Sequence, residues 1–315
     1  MNSKFKNLIE LHLHIDGSVS PASARKLSQL SGIPVPEKDE DLKNALMCPP
    51  GCRSLNEYLS RFDLPCSLMQ TQKCIESAVE TLCLELKQLG LSYAELRFAP
   101  QKHCEKGLVQ EDVIEAASSG IKNSHFNASL ILCCMRGDKN RAQNIRTVEL
   151  TKKYLGKNVC ACDLAGAEAL FPTQNFADVF ALARKLEVPF TIHAGEACGP
   201  ESVAAAVEMG ASRIGHGINA ARDEKVMELL AKKKIPVEWC PTSNINTCVA
   251  PSVKEMPVPK LMRSGIIVTV NSDNMSVSNT NIIHELQVAK DAFGWDDKTI
   301  EQLLQNARDC AFVRG

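Results

Sequence analysis

No sign of charge dominates this chain of 315 residues: 36 Lys and Arg stand against 37 Asp and Glu, a formal net charge of -1. Nucleic acid and a polybasic membrane contact both need a positive field, so neither partner is expected. No apolar run approaches the roughly 18 residues that a membrane-spanning helix requires. The opening MNSKFKNLIELHLHIDGS lacks a long apolar stretch and a small-residue cleavage site, so it does not read as a signal peptide. Low-complexity tracts are missing and hydrophobic residues make up 44% of the chain, which excludes a disordered protein. Cys-x-x-Cys is missing too, although there are 14 cysteines. Without an export signal these thiols are expected reduced and mostly buried, in a cytoplasmic protein. Cys133-Cys134 and Cys160/Cys162 sit in apolar runs that suit strands, not zinc clamps.

What is present is a repeat of short β-rich runs and helical stretches. Strands are expected at 9–15, 92–98, 128–134, 159–165, 188–194, 212–216, 236–241 and 266–272, with amphipathic segments such as Ala177–Leu186 and Glu224–Lys233 between them. From the second strand on, the starts lie 24 to 36 residues apart, the length of one βα unit. Strands alternating with helices imply a parallel sheet, and eight such units imply an α/β fold of the (β/α)8 TIM-barrel type. An open doubly wound sheet usually carries a Gly-x-Gly-x-x-Gly turn after its first strand, and none occurs here. The first unit is longer. A stretch with Pro34, Pro36, Pro49 and Pro50 and several helical patterns separates strands one and two. The expectation is one domain over 1–315, with a helical lid insertion at about 17–90.

The first strand carries Glu10-Leu11-His12-Leu13-His14-Ile15-Asp16. Alternate side chains share a face, so Leu11, Leu13 and Ile15 point one way and Glu10, His12, His14 and Asp16 the other. Two imidazoles two residues apart can chelate one metal. His193 with Glu196 ends the fifth strand, His216 the sixth and Asp273 the eighth. Barrel enzymes gather their chemistry at these C-terminal strand ends. Histidines with a carboxylate and an open position suit zinc, with iron, cobalt or manganese as alternatives. A bound divalent ion generates hydroxide from water near neutral pH, and Glu196 stands close enough to donate a proton. His103, His125 and His284 fall in loop or helical contexts and are expected in plain surface roles.

The chain resembles the adenosine deaminase family of metal-dependent hydrolases. The resemblance rests on ELHLHIDGS (10–18), SLNEYLSRFD (54–63), YAELRFAP (93–100), ILCCMRG (131–137), DLAG (163–166), HAGE (193–196), RIGHG (213–217), CPTSN (240–244) and VTVNSD (268–273), in family order along nearly the whole chain. The cytidine-type zinc deaminases need His-x-Glu with Pro-Cys-x-x-Cys, which this chain lacks. The resemblance implies one Zn2+ per subunit, held by His12, His14, His193 and Asp273. It implies that Glu196 protonates purine N1, His216 acts as base on the attacking water, and Asp273 holds that water towards C6. It further implies contacts from Gly166 to N3 and from Asp16 and His14 to the sugar end. Leu55, Tyr58, Leu59 and Phe62 match an apolar gate helix, although their one-face spacing also suits ordinary core.

Two positions depart from the family pattern. Asn274 stands where a second Asp is frequent, so the N7 contact falls to an amide, and Ala167 stands where an acid often follows DLAG; Glu168 is retained. The expected activity is conversion of adenosine and 2′-deoxyadenosine to the inosine products and ammonia. The alternative is a deaminase of adenine or a modified adenosine, and Asp16 favours a nucleoside. A small-molecule nucleoside is the expected partner, with the protein a monomer or weak homo-oligomer. Cys198, just beyond HAGE, is a candidate oxidation sensor near the mouth.

Overall fold

Eight short strands carry alternating side chains into one closed ring. The computed structural model describes residues 5, 7–49, 51–52 and 54–313; Pro50 and part of the opening segment lie outside them. The strands are β1 (Leu8–His14), β2 (Leu91–Phe98), β3 (Ala128–Met135), β4 (Val159–Ala165), β5 (Thr191–Ala194), β6 (Arg213–His216), β7 (Val237–Trp239) and β8 (Val268–Val270). β1 to β4 form one parallel sheet in sequence order and β5 to β8 a second. Two seams join them. Cys162 N–H donates to the Pro189 carbonyl (3.0 Å), while His14 N–H donates to the Asp273 carbonyl (2.7 Å) and Asp273 N–H to that of His12 (2.8 Å). The result is the (β/α)8 barrel. The last strands are shorter than expected, partly because Pro241 opens a helix where strand seven was expected to continue.

Between β1 and β2 the described residues form five α-helices: α1 (Pro21–Ser31), α2 (Asp39–Leu46), α3 (Leu55–Leu59), α4 (Asp63–Leu68) and α5 (Gln72–Gln88). Ser20 caps α1 by accepting from Ser23 N–H, and Thr71 caps α5 from Cys74 N–H, each satisfying an otherwise orphaned donor. The outer ring follows as α6 (Gln110–Ser124), α7 (Arg141–Tyr154), α8 (Ala177–Lys185), α9 (Pro200–Met209) and α10 (Glu224–Lys233), then α11 (Pro241–Asn246), α12 (Val258–Arg263), α13 (Ile282–Phe293) and α14 (Asp297–Cys310). Among the described residues no helix is long and apolar enough to cross a membrane. All 14 cysteines are free thiols.

Leu13 and Ile15 enter the main apolar core, and Leu11 packs with Tyr93, Ala307 and Ala311. The opposite strand faces build an ionic lumen where barrels usually stack branched aliphatic residues. Arg97 reaches Asp163 (3.1 Å) and Glu238 (2.9 Å); Arg213 reaches Glu238 and Glu95 (2.5 Å each). All five are buried. Each charge is tolerable there because its partners are present, and deleting one strands the others. Near the chain end, Phe312 N–H donates to Glu95 (2.6 Å), and the Phe312 ring lies 3.9 Å under the Arg213 guanidinium. This network lies directly beneath the histidines, since Glu238 and Asp163 also contact His12 and His193.

Candidate active site

Four imidazoles and one carboxylate meet at the mouth. Asp273 Oδ1 lies 3.4 Å from both His12 Nε2 and His14 Nε2, and His14 Nε2 lies 3.2 Å from His193 Nε2. His216 belongs to the same cluster: His12, His193, His216 and Asp273 offer ligand atoms all within 4.8 Å of one another. The ring faces of His12 and His193 are set from behind. His12 Nδ1 is 2.8 Å from Glu238 Oε2, and His193 Nδ1 is 2.9 Å from Asp163 Oδ2. A carboxylate on the outer nitrogen directs Nε2 forward and raises its basicity, the usual second partner of a metal-bound histidine.

Protonation states fit a cation. Burial lowers the His216 pKa to about 4 and holds His14 well below its ordinary value, so both rings are neutral. Burial pushes Asp273 up, but the histidines around it outweigh burial and keep it ionised. Neutral imidazoles and an ionised carboxylate are the forms a metal binds. His12 Nε2 is fully buried and has no hydrogen-bond partner. An orphaned lone pair beside three convergent ligands is what the cation would satisfy.

Two of these residues hold unusual backbone conformations. His216 and Asp273 both have φ of +60°. Non-glycine residues adopt that region rarely and at some cost, and such strain collects at functional sites. Here it turns each side chain from the strand end back over the mouth.

Glu196 sits on the loop after β5, with one carboxylate oxygen 3.6 Å from His216 Nε2. Burial, then the charge of Asp273, pushes its pKa up to about 7. Its loop hangs on Glu168. That carboxylate accepts from the backbone N–H groups of Gly195 (2.7 Å), Glu196 (3.1 Å), Ala197 (2.7 Å) and Cys198 (3.0 Å), and from the Ser202 hydroxyl (2.5 Å). Burial raises the Glu168 pKa, but Ser202, Arg136 and these amides outweigh it and hold the group below its ordinary value.

The cluster floors a cavity of about 360 Å³, within the range of small-ligand sites. His14, Asp16, Gly166, Glu196, His216, Asp273 and Asn274 all line it. So do Leu55, Tyr58, Leu59 and Phe62, which α3 and the 3-10 turn after it place on one side. Tyr58 and Phe62 also pack with Cys48, Cys52 and Val277, so the stripe is wall and core at once. Asn274 Nδ2 donates to the Tyr58 hydroxyl (2.9 Å), which is 2.7 Å from Ser278 Oγ. A Cβ on Gly17 would fall 1.7 Å from Asn274 Oδ1, so only glycine admits this amide.

Motif reading gave no role to Glu238, Asp163 and Arg97 below the histidines, nor to the amide grip of Glu168. For the three strand residues the available signal was an ionisable side chain at an inward position of an otherwise apolar strand; Glu168, beyond the end of β4, had none. One expectation is overturned. His125 and His284 are exposed, but His103 is 1% exposed, with Nδ1 3.1 Å from the Met69 carbonyl and its ring against Phe98. The turn Pro100–His103 folds it inward, which loop context alone did not reveal.

A family model described as adenosine deaminase matches residues 8–315. A curated adenosine deaminase of Haemophilus ducreyi is 44% identical over 315 aligned residues, covering 97% of this chain and 92% of the relative. The crystal structure of an adenine deaminase from Arthrobacter aurescens superposes with a TM-score of 0.86 at 22% identity, over 98% of this chain and 94% of that one. An amidohydrolase from Burkholderia ambifaria, solved with bound zinc, gives 0.86 at 19% identity, over 98% and 86%. At those identities the two structures speak for the barrel alone.

Proposed function

The chain belongs to the adenosine deaminase family, and from that premise we propose how its residues hydrolyse adenosine to inosine and ammonia. The observation that carries the reading is the raised acid Glu196 beside a neutral His216, over a cradle of histidines and Asp273. We assign His12, His14, His193 and Asp273 as metal ligands. Zinc suits three imidazoles, a carboxylate and an open position. A divalent ion there supplies water with hydroxide-like reactivity at neutral pH.

Glu196 donates its proton to purine N1, which draws electron density from C6. His216 takes a proton from the water that attacks C6. That role needs Nε2 free and Nδ1 protonated. The Asn244 carboxamide, 3.1 Å from Nδ1, meets the need when its oxygen faces the ring. Asp273 orients the water, and Ser243 Oγ, 2.5 Å from Asp273 Oδ2, orients Asp273 in turn. The C6–N6 bond then breaks and the amine leaves with the proton held by His216. The new C6 hydroxyl sheds a proton to the enzyme, which leaves the carbonyl of inosine and restores the acid.

Gly166 N–H faces N3, Asn274 faces N7, and Asp16 and His14 meet the sugar hydroxyls. Leu55, Tyr58, Leu59 and Phe62 wall off water, with segment 17–90 as the lid of a single domain. Fourteen free thiols favour a reducing, cytoplasmic setting. The near-zero charge suits a free nucleoside over a nucleic-acid strand. The test is an absorbance assay on zinc-loaded protein with adenosine, 2′-deoxyadenosine, adenine and N6-methyladenosine. Adenosine and 2′-deoxyadenosine are expected to react fastest. Faster loss of adenine would move the assignment to the free base, and no loss of any would overturn it.

A further inference from the structure

We propose that Asp16, Cys66 and His103 form a second divalent-cation site of the zinc type, at the part of the cavity wall that carries Asp16 and Cys66. The three come from separate elements: Asp16 from the turn after β1, Cys66 from α4, and His103 from the turn after β2. Their ligand atoms nevertheless lie within 4.8 Å of one another. Cys66 Sγ is 3.9 Å from Asp16 Oδ2.

Two independent observations point to a missing occupant. Asp16 Oδ1 and His103 Nε2 are buried without any hydrogen-bond partner, in residues only 6% and 1% exposed. Buried polar atoms of this kind are rare and need an explanation. The tautomer of His103 is also set for ligation. With Nδ1–H donated to the Met69 carbonyl (3.1 Å), Nε2 keeps a bare lone pair. A backbone carbonyl on the far nitrogen is a common support of a metal-bound histidine.

The donor set selects the ion. A thiolate, a carboxylate and a neutral imidazole carry two negative charges, which match a divalent cation. The thiol proton leaves to solvent as sulfur binds the ion. Sulfur with nitrogen and oxygen favours zinc or cobalt over magnesium or calcium. Asp63, Glu105 and Lys102 share the cavity wall and together add one further negative charge. Three protein ligands leave a coordination position open.

The consequence rests on the nucleoside reading of Asp16. An ion on that carboxylate occupies the group assigned to the sugar hydroxyls, so excess zinc competes with substrate. It raises KM and leaves kcat unchanged.

Cobalt titration of metal-free full-length protein tests the site without substrate. The catalytic cradle contains no sulfur, so a thiolate-to-cobalt charge-transfer band in the near ultraviolet reports a thiol site, and its loss in Cys66→Ser assigns it to this one among the 14 free thiols. Two equivalents are expected to bind, the second with the band. Cys66→Ser and His103→Gln are expected to lose the band and the second equivalent, while thermal unfolding and basal turnover of adenosine stay near wild type. Excess zinc is expected to raise KM at least about tenfold less in either variant than in wild type. A single equivalent, or a band that survives Cys66→Ser, would overturn the site whatever the substrate proves to be. A band with no effect of zinc on KM would overturn the competition.

Discussion

Glu168 bonds no metal ligand side chain, yet the geometry makes it decisive for Glu196. Its carboxylate accepts five hydrogen bonds, three on Oε2 from consecutive backbone amides and two on Oε1. In Glu168→Gln the amide oxygen can keep the three amides of Glu196, Ala197 and Cys198. The amide nitrogen then faces Gly195 N–H and Ser202. Ser202 can rotate its hydroxyl, since Thr173 Oγ1 lies 2.7 Å away; Gly195 N–H cannot turn and stays orphaned. An orphaned buried donor costs about 1–3 kcal/mol, and the loss of charge weakens each remaining bond by about 0.5–1 kcal/mol. The sum is about 4 kcal/mol. With an unfolding entropy of about 2.1 cal/mol/K per residue over this length, Tm falls by about 6 °C in calorimetry. The loop after β5 loosens with it, and a displacement of the proton donor by about 1 Å costs about 100-fold in kcat/KM. Metal content stays at the wild-type level, because the ligands hang on strand ends and on Asp163 and Glu238. A Glu168→Gln enzyme with wild-type Tm and kcat/KM would refute the role of the amide grip.

Glu196 donates only while protonated, and its carboxyl is pushed up to about 7 by burial and Asp273. Raising pH through that value removes the proton, so kcat/KM is expected to fall about tenfold per unit above about pH 7. Glu196→Gln is expected to lower turnover by about 10²–10⁴-fold with metal retained and that alkaline limb gone; turnover within about threefold of wild type would sink the proton role. Asp163→Asn weakens the support of His193 Nδ1 at 2.9 Å and removes one partner of Arg97. Metal affinity, read by competition with a chelator, is expected to drop about 10–100-fold; unchanged affinity would show that His193 needs no anion behind it.

The strand order, the pairing of His12 and His14 on one strand face, and the acid after His193 could all be read along the chain. Each depends on local periodicity: side chains alternate in a strand, and βα units recur at a regular length. The gate stripe was legible as a helical face, but whether it faced core or cavity was not, because both need the same apolar residues. Only the closed barrel brought Glu238 behind His12 across 226 positions, and only it joined the Asn274 amide to Tyr58. His103 passed for a surface residue because burial depends on what the chain folds over it. Sequence by itself determined which groups face the lumen. Tertiary structure decided which of them meet, since charge pairing and desolvation act between residues that the chain holds far apart.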